Sequence, residues 1–150
     1  MKLAEALQER ADLNRRIQQL QQRLGNNAIV QEGEQPAEDP KELLVELDRA
    51  VCELEDLISR INLTNCRTLV GGKSLTELLA RRDMLTVKLG AYRNLVQSAS
   101  QVSRRATRTE IKLLSTVNVK DLQKQVDQMA KELRLLDNSI QETNWNTELD

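Results

Sequence analysis

Apolar residues recur along this chain at alternating steps of three and four, in four separate stretches. The first stripe is Leu3, Ala6, Arg10, Leu13, Ile17, Leu20 and Leu24. The second is Leu44, Leu47, Val51, Leu54, Ile58 and Ile61. The third runs Leu75, Leu78, Arg82, Leu85, Leu89, Tyr92, Val96 and Ala99, and the fourth Leu122, Val126, Met129, Leu133, Leu136, Ile140 and Thr143. Such spacing puts one narrow apolar seam on each of four long helices, near residues 2–24, 40–62, 74–100 and 119–144. The expected fold is mainly all-α, an antiparallel bundle of four helices forming a single domain over residues 1–150.

Local signals agree with the periodicity. Gly25-Asn26-Asn27 suits a helix stop, because Gly and Asn tolerate the left-handed C-terminal cap. Asp39-Pro40-Lys41-Glu42 reads as an N-cap, a proline at the first helical position and a glutamate closing the box. Ser74-Leu75-Thr76-Glu77 reads as a second box, preceded by Gly71-Gly72, and Asn118 or Asp121 suits the start of the fourth helix. Between the helices, residues 25–39 read as a long surface loop and residues 62–73 as an Asn- and Thr-rich connection. Residues 110–117 are β-branched and partly alternating, which predicts a strand in a small β-ribbon around 101–118. Its partner would be Val102–Arg105 or Ala28–Gln31, and a lone ribbon would need packing or a second subunit to persist.

Composition narrows the chemistry. Aromatics are 1% of the 150 residues, Tyr92 and Trp145, and there is no Phe or His. Imidazole is therefore unavailable as base, nucleophile or metal ligand. Two cysteines, Cys52 and Cys66, are too few for a disulfide scaffold. Cys66 reads as a loop thiol and Cys52, beside seam residue Val51, as packing. Gly71-Gly72-Lys73-Ser74 echoes the end of a phosphate-binding loop, but Arg67 stands where that motif needs its first glycine. No cofactor or metal motif is present, and a non-catalytic role is expected. No apolar run is long enough for a membrane span, and Glu5 and Glu9 interrupt any leader-like start, so the expected location is cytoplasmic.

The net charge of −1 conceals a partition. Residues 1–60 carry −5, residues 61–120 carry +8, and residues 121–150 carry −4. The basic centre supplies one set of candidate contacts with an anion or partner: Arg93, Arg104, Arg105, Arg108 and Lys112. On a ribbon these could track nucleic-acid phosphates, though no aromatic in the segment offers a stacking platform. The favoured reading is that they meet the acidic first or fourth helix of the same or another subunit. Asn62, Thr64, Asn65 and Arg67 form a candidate polar pocket after the second helix. Arg10 and Arg82 at seam positions, and Trp145 near the end, are candidate subunit contacts. A homo-oligomer is the expected assembly, because four thin seams make a lean core for one chain.

Several short motifs bear on family. Leu3-Ala4-Glu5-Ala6-Leu7, Glu9-Arg10-Ala11-Asp12-Leu13, Gln31-Glu32-Gly33-Glu34, Ile61-Asn62 with Thr64-Asn65, and Leu79-Ala80-Arg81-Arg82-Asp83 lead to a closing pattern. That pattern is Leu136-Asp137, Ile140-Gln141, Asn144-Trp145 and Thr147-Glu148-Leu149. Together they resemble the small bacterial family labelled septicolysin, a domain of unknown function. The resemblance implies a cytolysin by its label and brings no catalytic or ligand residue with it. The residues themselves favour a self-assembling helical scaffold or interaction protein. An anion or nucleic-acid binder, and the membrane-active protein implied by the label, are the other readings.

Overall fold

The computed structural model describes residues 1–101 and 111–150. They form four helices and a small two-stranded antiparallel sheet, a mainly all-α chain. The order is α1 (Leu3–Asn26), α2 (Pro40–Arg67), β1 (Leu69–Val70), β2 (Lys73–Ser74), α3 (Leu75–Ala99) and α4 (Val119–Asn146). The chain divides into two compact units, Met1–Ser74 with Thr143–Asp150, and Leu75–Glu142. No helix among the described residues is long and apolar enough to cross a membrane.

In the first unit α1 and α2 fold back on each other. Leu20, Leu43 and Ala50 are buried together, with Ile17, Leu24 and Leu47 packed around them. Each leucine so buried contributes roughly 1.5–3 kcal/mol through the apolar area it removes from water. Arg16 reaches Glu46 across the pair at 3.8 Å. Asp39 caps α2 by accepting from the Lys41 amide at 3.0 Å, with Pro40 in the first turn.

The two ends of the α1–α2 loop are tied together. Asn27 ends α1 with an ordinary negative φ of −109°, so the expected left-handed cap is not used. Its side chain donates to the Arg23 carbonyl at 2.8 Å and accepts from the Glu38 amide at 3.0 Å. Arg23 also pairs with the Glu38 carboxylate, through Nε at 3.0 Å.

The α1 stripe is buried or half-buried as its spacing predicts, but the α2 stripe is displaced by one residue. Leu43, Ala50, Leu57, Ile61 and Thr64 are the buried positions, whereas Leu44, Val51 and Ile58 are 47%, 44% and 37% exposed. Two heptad patterns overlap here and share Leu47, Leu54 and Ile61. Counting large apolar residues favours the wrong pattern. The buried seam instead has small Ala50 at its middle, against α1, and Thr64 at its end, against Asp150. Cys52, expected in the packing, lies on the displaced side and is exposed.

The sheet is also not where the sequence put it. Leu69 pairs with Ser74 and Val70 with Lys73. The turn between them is Gly71-Gly72, at φ +57° and +83°. Positive φ at both central residues is the type I′ requirement, which glycine meets without a Cβ clash. Residues 111–118 contain no strand, and Ile111 and Leu114 are 75% and 80% exposed. β-branched composition yields a strand only where a neighbouring strand satisfies its backbone. Val102–Arg105, the proposed partner, lies outside the described residues, and Ala28–Gln31 is irregular.

Residues 1–3 and 147–149 join within the same unit. The Leu3 amide donates to the Thr147 carbonyl and the Leu149 amide to the Met1 carbonyl, each at 2.9 Å, around a Lys2–Glu148 bridge. Glu148 accepts from the Met1 ammonium at 3.2 Å and pairs with the Lys2 ammonium at 2.6 Å. Those hydrogen bonds hold its carboxyl below the usual range.

In the second unit α3 and α4 pack antiparallel. Leu89, Val126 and Met129 are buried together beneath Leu85, Tyr92, Val96, Ala130 and Leu133. Asn118 caps α4, accepting from the Asp121 amide at 3.2 Å. All seven expected seam positions of α4 are buried or half-buried.

Candidate functional site

The α3–α4 pair carries a cleft of about 350 Å³. On α3, Arg82, Thr86, Leu89 and Arg93 follow one another at four-, three- and four-residue steps, so they share one face. On α4, Ala130, Leu133, Arg134 and Asp137 are related by steps of three, four and seven and share one face. Leu89, Leu133 and Ala130 give it an apolar floor, and three arginines face one carboxylate around the rim.

The arginines are not equivalent. Arg82 is committed to neighbouring acids: its guanidinium donates to Asp83 at 3.1 and 3.2 Å and lies 3.9 Å from Asp137. Its side chain is 32% exposed, the half-buried posture expected of a charge on a seam. Arg93 and Arg134 are exposed and have no ion-pair partner among the described residues. Thr86 turns its hydroxyl back onto the Arg82 carbonyl at 2.9 Å. Just outside the lining, Lys88 sits 5.7 Å from the Tyr92 ring centroid, and Arg81 pairs with Glu132 at 3.3 Å. Two guanidinium forks without an acid among the described residues, above an apolar floor, suit a carboxylate-bearing group with some hydrocarbon attached.

Of the five basic candidates, Arg93 lines this cleft, while Lys112 is exposed in the irregular segment before α4. Arg104, Arg105 and Arg108 lie outside the described residues. Arg134, Asp137 and Thr86 were not singled out from sequence. Their available signal was the i, i+3 pair Arg134/Asp137 on either side of seam residue Leu136 and next to Leu133.

The polar-pocket candidates are placed differently from expectation. α2 continues to Arg67, so Asn62, Thr64, Asn65 and Arg67 sit on its last turns and not in a loop. Thr64 is buried and in seam register, whereas Asn62, two residues earlier, is exposed on another face. What fills the space beside Thr64 and Arg67 is Asp150. Its amide donates to Thr64 Oγ1 at 3.1 Å, and its carboxylate accepts from Arg67 at 2.8 Å. Arg60 Nε, absent from the sequence-based set, donates to the Asp150 backbone oxygen at 2.7 Å. Among the subunit-contact candidates, Arg10 is half-buried without an ion-pair partner among the described residues, and Trp145 is 51% exposed on the last turn of α4.

Comparison with known proteins adds family without activity. No curated protein matches the chain significantly. The chain is similar to the crystal structure of a functionally unknown conserved protein from Corynebacterium diphtheriae. The two are 43% identical, with a TM-score of 0.93 and coverage of 100% of this chain and 99% of that one. The septicolysin resemblance is overturned: the matching profile, over residues 10–149, describes a different family of unknown function, and nothing indicates the septicolysin label. Of the motifs behind that resemblance, Leu3–Leu7, Glu9–Leu13 and Leu79–Asp83 lie in α1 and α3, where Leu, Glu and Arg content suits any amphipathic helix, while Gln31–Glu34 lies in the α1–α2 loop. On the profile match, the chain belongs to the family of unknown function DUF6847.

Proposed function

We propose that this protein is a non-catalytic interaction protein whose α3–α4 cleft receives an acidic, partly apolar segment of a protein partner. The observation that carries this reading is the pairing of Arg93 and Arg134, which have no ion-pair partner among the described residues, with the apolar floor of Leu89, Leu133 and Ala130. A carboxylate on the partner would bind the guanidinium forks, and its aliphatic neighbours would cover the floor. The lining holds no thiol or imidazole, and its hydroxyl, on Thr86, is bonded back to its own helix. Nucleic acid fits less well: Asp137 repels phosphate, and the lining has no aromatic ring for a base.

The test is fluorescence anisotropy with a labelled amphipathic helical peptide carrying leucines at heptad spacing and flanking glutamates. Binding should weaken with added salt and fall at least about tenfold in Arg93→Glu/Arg134→Glu, as expected for close charge pairs at an interface. A peptide with lysine in place of glutamate should not bind. Equal binding of both peptides, or tighter binding of a labelled single-stranded oligonucleotide, would overturn the reading.

A further inference from the structure

The displaced seam of α2 leaves a feature that neither its own unit nor its local chemistry uses. Leu44, Val51 and Ile58 form an exposed apolar line at seven-residue spacing. Asp48 and Glu55, each four residues beyond one of these, border the line on the same side. Both acids are exposed, and neither has an ion-pair partner among the described residues. This is an amphipathic helix face of the kind inferred above for the ligand of the cleft. It bears apolar knobs at regular spacing with carboxylates alongside.

We infer that the occupant of the α3–α4 cleft is the outer face of α2 from a second copy of this chain, an inference that rests on the cleft being a peptide-binding site. Charge complementarity supports it, since Asp48 and Glu55 offer carboxylates to Arg93 and Arg134, which have none paired with them among the described residues. The dimensions agree. Arg82 to Arg93 spans eleven residues of α3, about 16 Å, while successive knobs on α2 are about 10 Å apart. Two knobs therefore fit along the cleft together. Pairing α2 with α2 is disfavoured, because an antiparallel pair centred on Val51 would bring Asp48 within one residue of the level of the partner's Glu55. Each copy carries both surfaces, so reciprocal exchange closes a dimer and one-way docking builds a longer array.

Sedimentation equilibrium of the full chain, from micromolar to submillimolar concentration, tests this directly. The wild type should gain mass with concentration and lose it with added salt. Arg93→Glu/Arg134→Glu and Asp48→Lys/Glu55→Lys should each associate at least about tenfold more weakly alone, as charge reversal at close pairs requires. All four positions are exposed, so both variants should fold, and circular dichroism would verify that. Mixed together the two variants should associate again, because each supplies the charge the other now needs. A monomer at every concentration, association that survives either reversal, or no recovery on mixing would overturn the inference. If the labelled acidic peptide still binds the wild-type monomer in an Arg93- and Arg134-dependent way, only the self-partner fails and the cleft reading stands.

Discussion

Thr64 and Asp150 meet side chain to backbone at 3.1 Å although 86 positions separate them, and Arg67 holds the Asp150 carboxylate beside them. The two anchors should differ in worth. Thr64 is 2% exposed, while the Arg67–Asp150 side chains are 69% and 46% exposed. Thr64→Val should cost about 1 kcal/mol, the usual net value of a hydrogen bond made away from bulk water. At this chain length that lowers Tm by about 2–4 °C. Arg67→Ala should cost under about 0.5 kcal/mol, as exposed ion pairs do. Thermal melts followed by circular dichroism would check the order, and a larger loss in Arg67→Ala would contradict it.

The one-residue displacement of the α2 seam makes neighbouring leucines unequal. Leu43 is 2% exposed and Leu44 is 47% exposed. Leu43→Ala should therefore cost about 2–5 kcal/mol, combining lost transfer energy with a cavity. Leu44→Ala should cost under about 1 kcal/mol, being half-solvated already. Urea unfolding of the two variants decides the register, and equal losses would place the seam between them.

Two carboxyls tie the first unit together and set its acid sensitivity. Glu38 is held below the usual carboxylate range by its hydrogen bond from Arg23, and Glu148 by those from Lys2 and the Met1 ammonium. A depressed pKa means that the unfolded chain binds more protons through the acid range, so stability there rises with pH. The contribution is complete above the ordinary carboxylate range and is lost as pH falls through the lowered values. Glu38→Gln/Glu148→Gln should thus melt below the wild type at neutral pH, with the difference closing on acidification. A difference that persists into strong acid would mean the carboxylate charge is not its source.

The β1–β2 turn isolates a purely conformational effect. A Cβ at Gly71 or Gly72 would meet nothing within 4 Å, so only the positive φ opposes a side chain. Gly72→Val should cost about 1–2 kcal/mol, the penalty of a branched residue in the left-handed region. Gly72→Asn should cost less, since asparagine tolerates that region. A melt showing Val and Asn equal would remove strain as the explanation.

Much of this architecture was legible because helices announce themselves over many residues. Leu3 to Leu24 and Leu122 to Thr143 each offer seven positions that agree, and Asp39-Pro40 and Asn118 mark starts by side-chain chemistry. The α2 register was not legible in the same way. Ala50 looks weaker than Val51 until α1 is laid against it, and Thr64 weaker than Ile58 until Asp150 meets it. The hairpin was hidden by its brevity, two residues on either side of Gly71-Gly72, while residues 110–117 had strand composition without a strand to pair with. The cleft was half legible. Arg82 stood out as a charge on a seam, but Arg134 and Asp137 acquire meaning only when α4 lies antiparallel to α3. Asp150 over Thr64 had no local signal, because nothing near either residue in sequence refers to the other.

The bridge between Lys2 and Glu148 also constrains when the first unit is complete during synthesis. Most of the first unit leaves the ribosome within the opening 74 residues, yet it also requires Thr143–Asp150. The α1–α2 hairpin is free to form early from local contacts. The amide of Leu3 and the carbonyl of Met1, however, have no strand-like partner until residues 147–149 emerge. The N-terminal unit thus completes after the intervening one, reversing the usual N-to-C order of co-translational folding. A chain stalled before Thr143 would expose an open first turn of α1 and an uncovered Thr64.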